Sequence, residues 1–297
     1  MSRVAIIRLP ARMISPDLPG RAVLRRMFVR GFDLISGGDD GRPYLSDIAG
    51  NSRRIGIKIN TIGGRRLSTR PAVARGLAEC LVDIGRRPED VLIWDRTGRE
   101  LHEAGYDLNT SRSGIRIFGT DARGVGYQPE LTSHRHIGSR FSRIQSEWAD
   151  ASISLALLKD HGLAGITGGM KNYFGAIHNP NKYHDDHCDP FVAEVFDAPP
   201  VRTRHILSIL DALIVQYHRG PAYHRRWAAP CGAMVFGVDP VAVDAVGWRI
   251  VESLRKKAGL PTLREESRSP GYLFTAEKMG LGKASSSGIE TVEEELT

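Results

Sequence analysis

Between residues 55 and 95 the sequence passes from a β-branched run through an amphipathic stretch to a second β-branched run, and this order restricts the fold more than any other feature. Ile55-Gly56-Ile57-Lys58-Ile59 and Val91-Leu92-Ile93-Trp94-Asp95 read as strands, with a helix predicted over 71–84. Pro71 suits the first helical turn, Ser68 and Thr69 stand where a cap is needed, and Gly85 stops the helix. Two consecutive strands joined by a helix run parallel in one sheet, and a parallel sheet is covered on both faces. Further strands are predicted at 4–9, 115–118, 153–158, 206–210 and 233–236, and a second helix at 240–258, capped by Asp239 and stopped by Gly259. The fold class is α/β: a predominantly parallel sheet with helices on both faces and long irregular loops.

At 297 residues, of which 41% are hydrophobic and 25% charged, the chain is large enough to bury a full core. We expect one large α/β domain over 1–282 and, because 283–297 is small, polar and acidic, a flexible tail there. Residues 123–143 hold no sustained period and read as a long loop or lid. Its basic members Arg123, His134, Arg135, His136, Arg140 and Arg143 suit a solvated face, or a lid that closes over an anion.

The formal net charge is +7, with a visible cluster at Arg21, Arg25, Arg26 and Arg30. Such a balance favours an acidic partner, namely an anionic metabolite or a nucleotide. Nucleic acid is disfavoured, since the basic stretches lack the interleaved aromatics of stacking surfaces. Cys80, Cys188 and Cys231 are odd in number and widely spaced, which argues against a disulfide framework and suits a reducing compartment. No CxxC pair occurs, so this chain by itself is not expected to hold a ferredoxin-type cluster. The N-terminal apolar run is too short for a signal peptide, and no stretch approaches the roughly 18 apolar residues of a membrane span. The expected location is the cytoplasm.

The polar chemistry concentrates in 159–244, with an earlier contribution from 58–69. Lys58-Ile59-Asn60-Thr61-Ile62-Gly63-Gly64-Arg65 leaves a strand and approaches a helix. Ligands of open parallel sheets settle at such places, so Lys58, Asn60, Arg65 and Ser68 are candidates for holding a carboxylate or phosphate, with Asp95 on the same rim. Lys159-Asp160-His161 follows an apolar strand and leads into Thr167-Gly168-Gly169-Met170-Lys171-Asn172-Tyr173-Phe174-Gly175, where glycines permit close approach and Lys159, His161, Thr167, Lys171 and Asn172 bring donors. In 178–190, His178, His184, His187 and Cys188 stand among aspartates. These are metal-ligand types, and imidazole is also the usual proton carrier near neutral pH. The spacing matches no standard metal signature, so His184, His187 and Cys188 are read either as ligands of a divalent transition metal or, for the histidines, as acid/base groups, and a polar surface loop is the bland alternative. Asp211 ends a predicted strand, and Asp244 lies in an apolar setting where a carboxylate is costly unless paired or functional.

Lys58-x-Asn60 with Thr69-x-Pro71, Lys159-x-His161, the segment 167–175, Lys182-x-His184, Asp211-Ala212, Gly220-Pro221 and Asp239-Pro240-Val241-Ala242-Val243-Asp244 together resemble the family catalogued as domain of unknown function 362, over about residues 55–250. Relatives often carry appended ferredoxin-type cysteine motifs or export signals, which are missing here. The resemblance therefore implies at most an iron-sulfur redox partner.

The expected function is an enzyme acting on a small anionic substrate by histidine and lysine acid/base chemistry, of lyase or isomerase type, with a divalent metal as an optional aid. His161, Lys171, His184, His187 and Asp211 would carry the chemistry. Lys58, Asn60, Arg65, Thr167 and Asn172 would bind the carboxylate or phosphate. Two other classes stand beside it: a non-catalytic metal or cofactor binding protein, and a redox accessory protein.

Overall fold

The computed structural model describes residues 1–297 apart from Pro16, Leu18, Asp39 and Asp40. The chain begins with β1 (Ser2–Arg8), α1 (Arg21–Ser36) and α2 (Gly41–Ala49). A parallel run follows: β2 (Ile55–Lys58), α3 (Pro71–Asp83), β3 (Val91–Asp95), α4 (Gly98–Glu103) and β4 (Arg116–Gly119). A small hairpin of β5 (Thr132–His134) and β6 (Ile137–Ser139) precedes the long β7 (Ala151–His161), which turns back as β8 (Gly165–Thr167). Then come α5 (Phe191–Asp197), α6 (Pro199–Arg202), β9 (His205–Gln216), β10 (Ala228–Gly237), α7 (Pro240–Lys257), α8 (Tyr272–Lys278) and β11 (Ile289–Glu295).

Among the described residues one sheet takes the order β11-β1-β10-β9-β7-β2-β3-β4, with β8 beside β7. The ladders from β9 through β7, β2 and β3 to β4 are parallel, whereas β10 is antiparallel to both β9 and β1. The period of two along each strand sorts side chains to opposite faces. Leu158, Leu210 and Val235 pack beneath α7 and α5, while Leu155, Ile209 and Met234 pack beneath α1 and α3. The sheet is therefore mixed but mostly parallel, with a core on each face, as the βαβ reading required.

Several elements differ from the sequence expectation, each for a physical reason. β7 and β9 extend to His161 and Gln216, beyond the apolar runs that marked them, because Lys159, Asp160, His161, Asp211 and Gln216 are buried polar strand residues. The arginine cluster proves to be the outer side of α1, whose inner side buries Leu24, Phe28 and Phe32. Arg21 pairs with Glu79 at 2.8 Å, Arg25 with Asp83, and Arg30 with Glu294 and Asp33 at 2.7 Å each, so those three charges are spent within the fold. Neither Ser68 nor Thr69 caps α3: its cap position is Arg70, without a side-chain bond. Thr69 Oγ1 donates instead to the Leu155 carbonyl at 3.1 Å.

The expected lid over 123–143 contains the β5–β6 hairpin, fastened to the buried carboxylates of α5. His134 Nε2 and Arg135 Nε meet Asp197 at 2.8 and 3.0 Å, and His136 Nδ1 meets Glu194 at 2.7 Å. The tail over 283–297 is also not frayed. β11 pairs in parallel with β1 from Ser2↔Ile289 to Arg8↔Glu295, and its acidic outer positions meet arginines, for example Arg3–Glu290 at 3.1 Å. Leu296 beyond it is 4% exposed and packs in the α1/α3 core.

That packing makes the docked tail testable. Leu296→Ala should cost about 2–4 kcal/mol in denaturant unfolding, the usual range for truncating a buried leucine. A change near zero would restore the frayed tail.

Candidate functional site

Because β2, β3 and β7 run parallel, their carboxyl ends meet along one edge of the sheet, where ligands of open α/β sheets settle. A cavity of about 390 Å³ opens there, lined by Lys58 at the end of β2 and Asn60 after it, Asp95 at the end of β3, Lys159 and His161 of β7, and residues between Thr167 and His184.

Its floor is a buried ion pair. Lys58 Nζ donates to Asp95 Oδ1 at 2.7 Å, to the Ile59 carbonyl at 2.6 Å and to Asn172 Oδ1 at 3.2 Å. Asp95 Oδ2 in turn accepts from Thr61 N and Thr61 Oγ1, both at 2.7 Å. Asn172 Nδ2 closes the network by donating to the Lys58 carbonyl at 2.8 Å and to Ser154 Oγ at 3.0 Å. A Cβ on Gly175 would stand 2.7 Å from Lys58 Nζ, which accounts for a glycine there.

The loop 167–175 is held from below by Asp244. Its carboxylate accepts from Gly169 N at 2.6 Å and Met170 N at 3.1 Å, and Tyr272 Oη lies at 3.5 Å. Asp244 is fully buried, and burial pushes its carboxyl up to about 7 against those stabilising bonds. The costly carboxylate noted in the sequence thus meets backbone amides, neither a lysine nor the cavity. A Cβ on Gly168 would run into the same carboxylate.

Four basic side chains face the space above the floor. His161 Nδ1 accepts from the amides of Leu163 at 3.2 Å and Ala164 at 3.1 Å, which leaves Nε2 to carry the ring proton. Burial, then the nearby Lys171, drive His161 far below the usual imidazole range, so the ring stays neutral. His184 stacks on it with ring centroids 5.7 Å apart. His184 Nδ1 faces the Pro180 carbonyl at 3.0 Å and must donate there, so Nε2 is the acceptor for Lys171 Nζ at 3.2 Å. Burial and Lys171 lower His184 as well.

Lys159 Nζ donates to Asn60 Oδ1 at 3.1 Å and to the Leu67 carbonyl at 3.4 Å. Lys171 Nζ sits 4.0 Å from the centre of the Phe174 ring, with the buried Cys188 thiol beside it. Burial lowers each lysine to about 8. Of the other charged lining groups, Lys58 is paired with Asp95, and Arg96 with Glu100 at 2.8 Å. Among the described residues neither Lys159 nor Lys171 has a carboxylate partner. Thr167 Oγ1, on the same wall, is buried without a hydrogen-bond partner.

Of the side chains singled out from sequence, Lys58, Asn60, His161, Thr167, Lys171, Asn172 and His184 line this cavity. Arg65 does not: it is exposed in the short 3-10 turn Gly64–Arg66. His187 is exposed too, with Nδ1 against the Leu163 carbonyl at 3.2 Å, while Cys188 is buried. Among the described residues no group of three or more His, Cys, Asp or Glu side chains is arranged to hold a metal ion, so the trio His184, His187 and Cys188 does not form a centre. Asp211 lies within β9, in register with Leu157 and Met234, and accepts from Leu213 N at 3.1 Å. It is absent from the cavity wall, and burial raises its carboxyl. The single cluster expected of His184, His187, Lys171 and Asp211 therefore reduces to His184 and Lys171. Lys159 was noted as a donor but not placed in the site. Its signal was a lysine continuing an apolar strand without a break.

The molecule is thus an α/β protein with a basic cavity at the carboxyl edge of its parallel strands. It belongs to the family described as a domain of unknown function, DUF362, whose model matches residues 55–249. Every lysine and histidine of the cavity lies within that span. No curated protein matches the chain significantly. A crystal structure of a protein from Thermotoga maritima is similar at 12% identity with a TM-score of 0.41, over 74% of this chain. The match covers 58% of that chain, less than two thirds of its length. No helix among the described residues is long and apolar enough to cross a membrane.

One glycine against the loop's support and one away from it give a paired test. Gly168→Ala, which sets a methyl group against the Asp244 carboxylate, should destabilise by about 1–3 kcal/mol, the usual cost of overpacking. Gly162→Ala meets only the Gly220 carbonyl at 3.4 Å and should be near neutral. Equal effects in thermal unfolding would contradict this account of the loop.

Proposed function

We propose that the cavity binds a small carboxylate- or phosphate-bearing molecule and moves a proton on it, with Lys159, Asn60 and Thr167 holding the anion and the Lys171–His184 pair carrying the proton. The observation that carries this reading is the pair of buried lysines without carboxylate partners. A buried cation is costly unless paired, so a site that keeps two of them beside a cavity is built to receive negative charge. Thr167 Oγ1, buried and unpartnered, supplies one further donor for the same ligand. A volume of about 390 Å³ suits a small metabolite.

Proton transfer is supported by the arrangement of Lys171 and His184. The Pro180 carbonyl fixes the His184 tautomer, so that a free imidazole lone pair faces the lysine at 3.2 Å. Lysine lowered to about 8 exchanges protons readily near neutral pH. His161, neutral and carrying its proton on Nε2, offers a hydrogen bond to a developing oxyanion.

The sign of the pH dependence follows from the lysines. Each is lowered from 10.5 to about 8, so between those values the unfolded chain binds more protons and stability rises with pH across the window. A bound anion favours the ammonium forms and reverses the shift. Titration with malonate and with inorganic phosphate near pH 8 should therefore show proton uptake when repeated in buffers of different ionisation enthalpy. Lys159→Met and Lys171→Met should each weaken that binding by about 1.5–3 kcal/mol while the protein stays folded. Unchanged affinity in both variants would remove the anion-binding reading.

The catalytic half has a separate readout. His184→Gln should bind the anions normally, yet slow deuterium exchange at the carbon beside the carboxylate of a 2-oxo acid by about a hundredfold or more. Exchange at the wild-type rate would leave only a binding site.

A further inference from the structure

Lys159 and Lys171 are not equivalent. Lys159 Nζ is held by two oxygen acceptors, Asn60 Oδ1 and the Leu67 carbonyl, which favour its ammonium form and suit it to pairing with a carboxylate. Lys171 Nζ has instead an imidazole nitrogen, Nε2 of His184, with the Phe174 ring at 4.0 Å and the Cys188 thiol alongside. The imidazole can take a proton from the ammonium, and the tautomer fixed by the Pro180 carbonyl leaves its lone pair free to do so. An amine in a mostly apolar wall beside a neutral base is the arrangement that makes lysine a nucleophile towards carbonyl carbon.

From this geometry we infer that the cavity takes a 2-oxo acid and that Lys171 forms an imine with its carbonyl carbon. The inference rests on the anion-binding reading above and adds the substrate class and the covalent step. Lys159 would pair with the carboxylate while the carbonyl lies towards Lys171. The Lys171 ammonium gives one proton to His184 Nε2, and the freed amine attacks the carbonyl carbon. As the C–N bond forms, the carbonyl π pair moves to oxygen, which takes a second proton from the nitrogen to give a carbinolamine. His184 then returns its proton to the hydroxyl, the C–O bond breaks and water leaves. The product is a protonated imine plus water, with no change in oxidation state and His184 restored. The iminium accepts the electron pair of an adjacent C–H bond as its proton passes to the restored His184 Nε2, which supplies the electron sink that proton abstraction requires.

Trapping decides the matter. The full-length protein is incubated with pyruvate or 2-oxoglutarate and reduced with borohydride, and the intact mass and the modified peptide are determined. One reduced adduct per chain is expected with at least one of the two acids, located on Lys171. It should vanish in Lys171→Arg, which keeps the positive charge but has no amine nucleophile. It should persist, formed only at higher acid concentration, in Lys159→Met. Lactate, which carries the carboxylate without the carbonyl, should protect Lys171 from trapping while forming no adduct itself. If pyruvate and lactate bind competitively but no adduct forms with either oxo acid, the imine is overturned and the anion site stands. If neither oxo acid nor lactate binds while malonate or phosphate does, the 2-oxo acid is overturned and the anion site stands; if none of these anions binds, both readings fail. Adducts spread over surface lysines, or located on Lys159, would also overturn the assignment to Lys171.

Discussion

The ion pair between Lys58 and Asp95 holds the carboxyl edge of the sheet together. Both residues end parallel strands, side by side in register as far as Lys58↔Trp94, and both are buried. Taking two charges out of water is expensive, and their attraction repays it only when further hydrogen bonds satisfy the remaining donors and acceptors. Here they do. Thr61 fills the second carboxylate oxygen, while the Ile59 carbonyl and Asn172 occupy the ammonium. Asn172 belongs to the loop after β8, so the pair fixes that loop relative to β2 and β3 as well as the strands to each other. The cavity stands on this floor, and the spent charges of Lys58 and Asp95 leave Lys159 and Lys171 as its uncompensated ones.

The second support comes from the opposite layer. Asp244, in the first turns of α7, reaches the amides of Gly169 and Met170. A helix packed beneath the sheet thus sets the height of the loop that carries Lys171 and Asn172. Gly168 and Gly175 are small because the Asp244 carboxylate and Lys58 Nζ occupy the space that a side chain would need. The segment 167–175 is therefore clamped from two sides, and its 3-10 turn Lys171–Ala176 presents the lysine to the cavity from a fixed backbone.

Much of this was legible in the sequence, because glycines and donors beside an apolar run are a local signal. Lys58, Asn60, His161, Thr167, Lys171 and Asn172 are found that way, and His184 by the concentration of histidines and aspartates in 178–190. Two of the errors share one cause, which is that strand ends are invisible when polar residues continue a buried strand. Asp211 was placed at a rim because the apolar run stops at Leu210, yet β9 continues to Gln216 and keeps Asp211 in mid-sheet. The same effect hid Lys159 inside β7. His187 and Cys188 adjoin in sequence but point apart, since Asp186, His187 and Cys188 take positive φ values of 46°, 57° and 64° and turn the chain sharply. Three successive non-glycine residues in that region store strain that no composition argument anticipates. β11 was missed because Glu290 and the run Glu293-Glu294-Glu295 resemble a disordered tail until the arginines of β1 and α1 are seen opposite them.

Titration of the site sets its own stability profile. Asp244 is raised from 3.8 to about 7, so the native state binds more protons than the unfolded chain between those values, and this group's contribution falls as pH rises through them. The two lysines, lowered to about 8, contribute the opposite slope above that pH. Between roughly 7 and 8 all three groups are substantially charged and buried, so the unliganded site is at its least favourable near neutrality. Asp244 has amides to answer its charge, but Lys159 and Lys171 have only neutral partners. The imbalance is therefore positive and lies at the cavity wall, not in the core. A fold that keeps such a penalty at its cavity edge, after neutralising Lys58 and three of the four arginines of α1 elsewhere, places its destabilisation where a bound anion would relieve it.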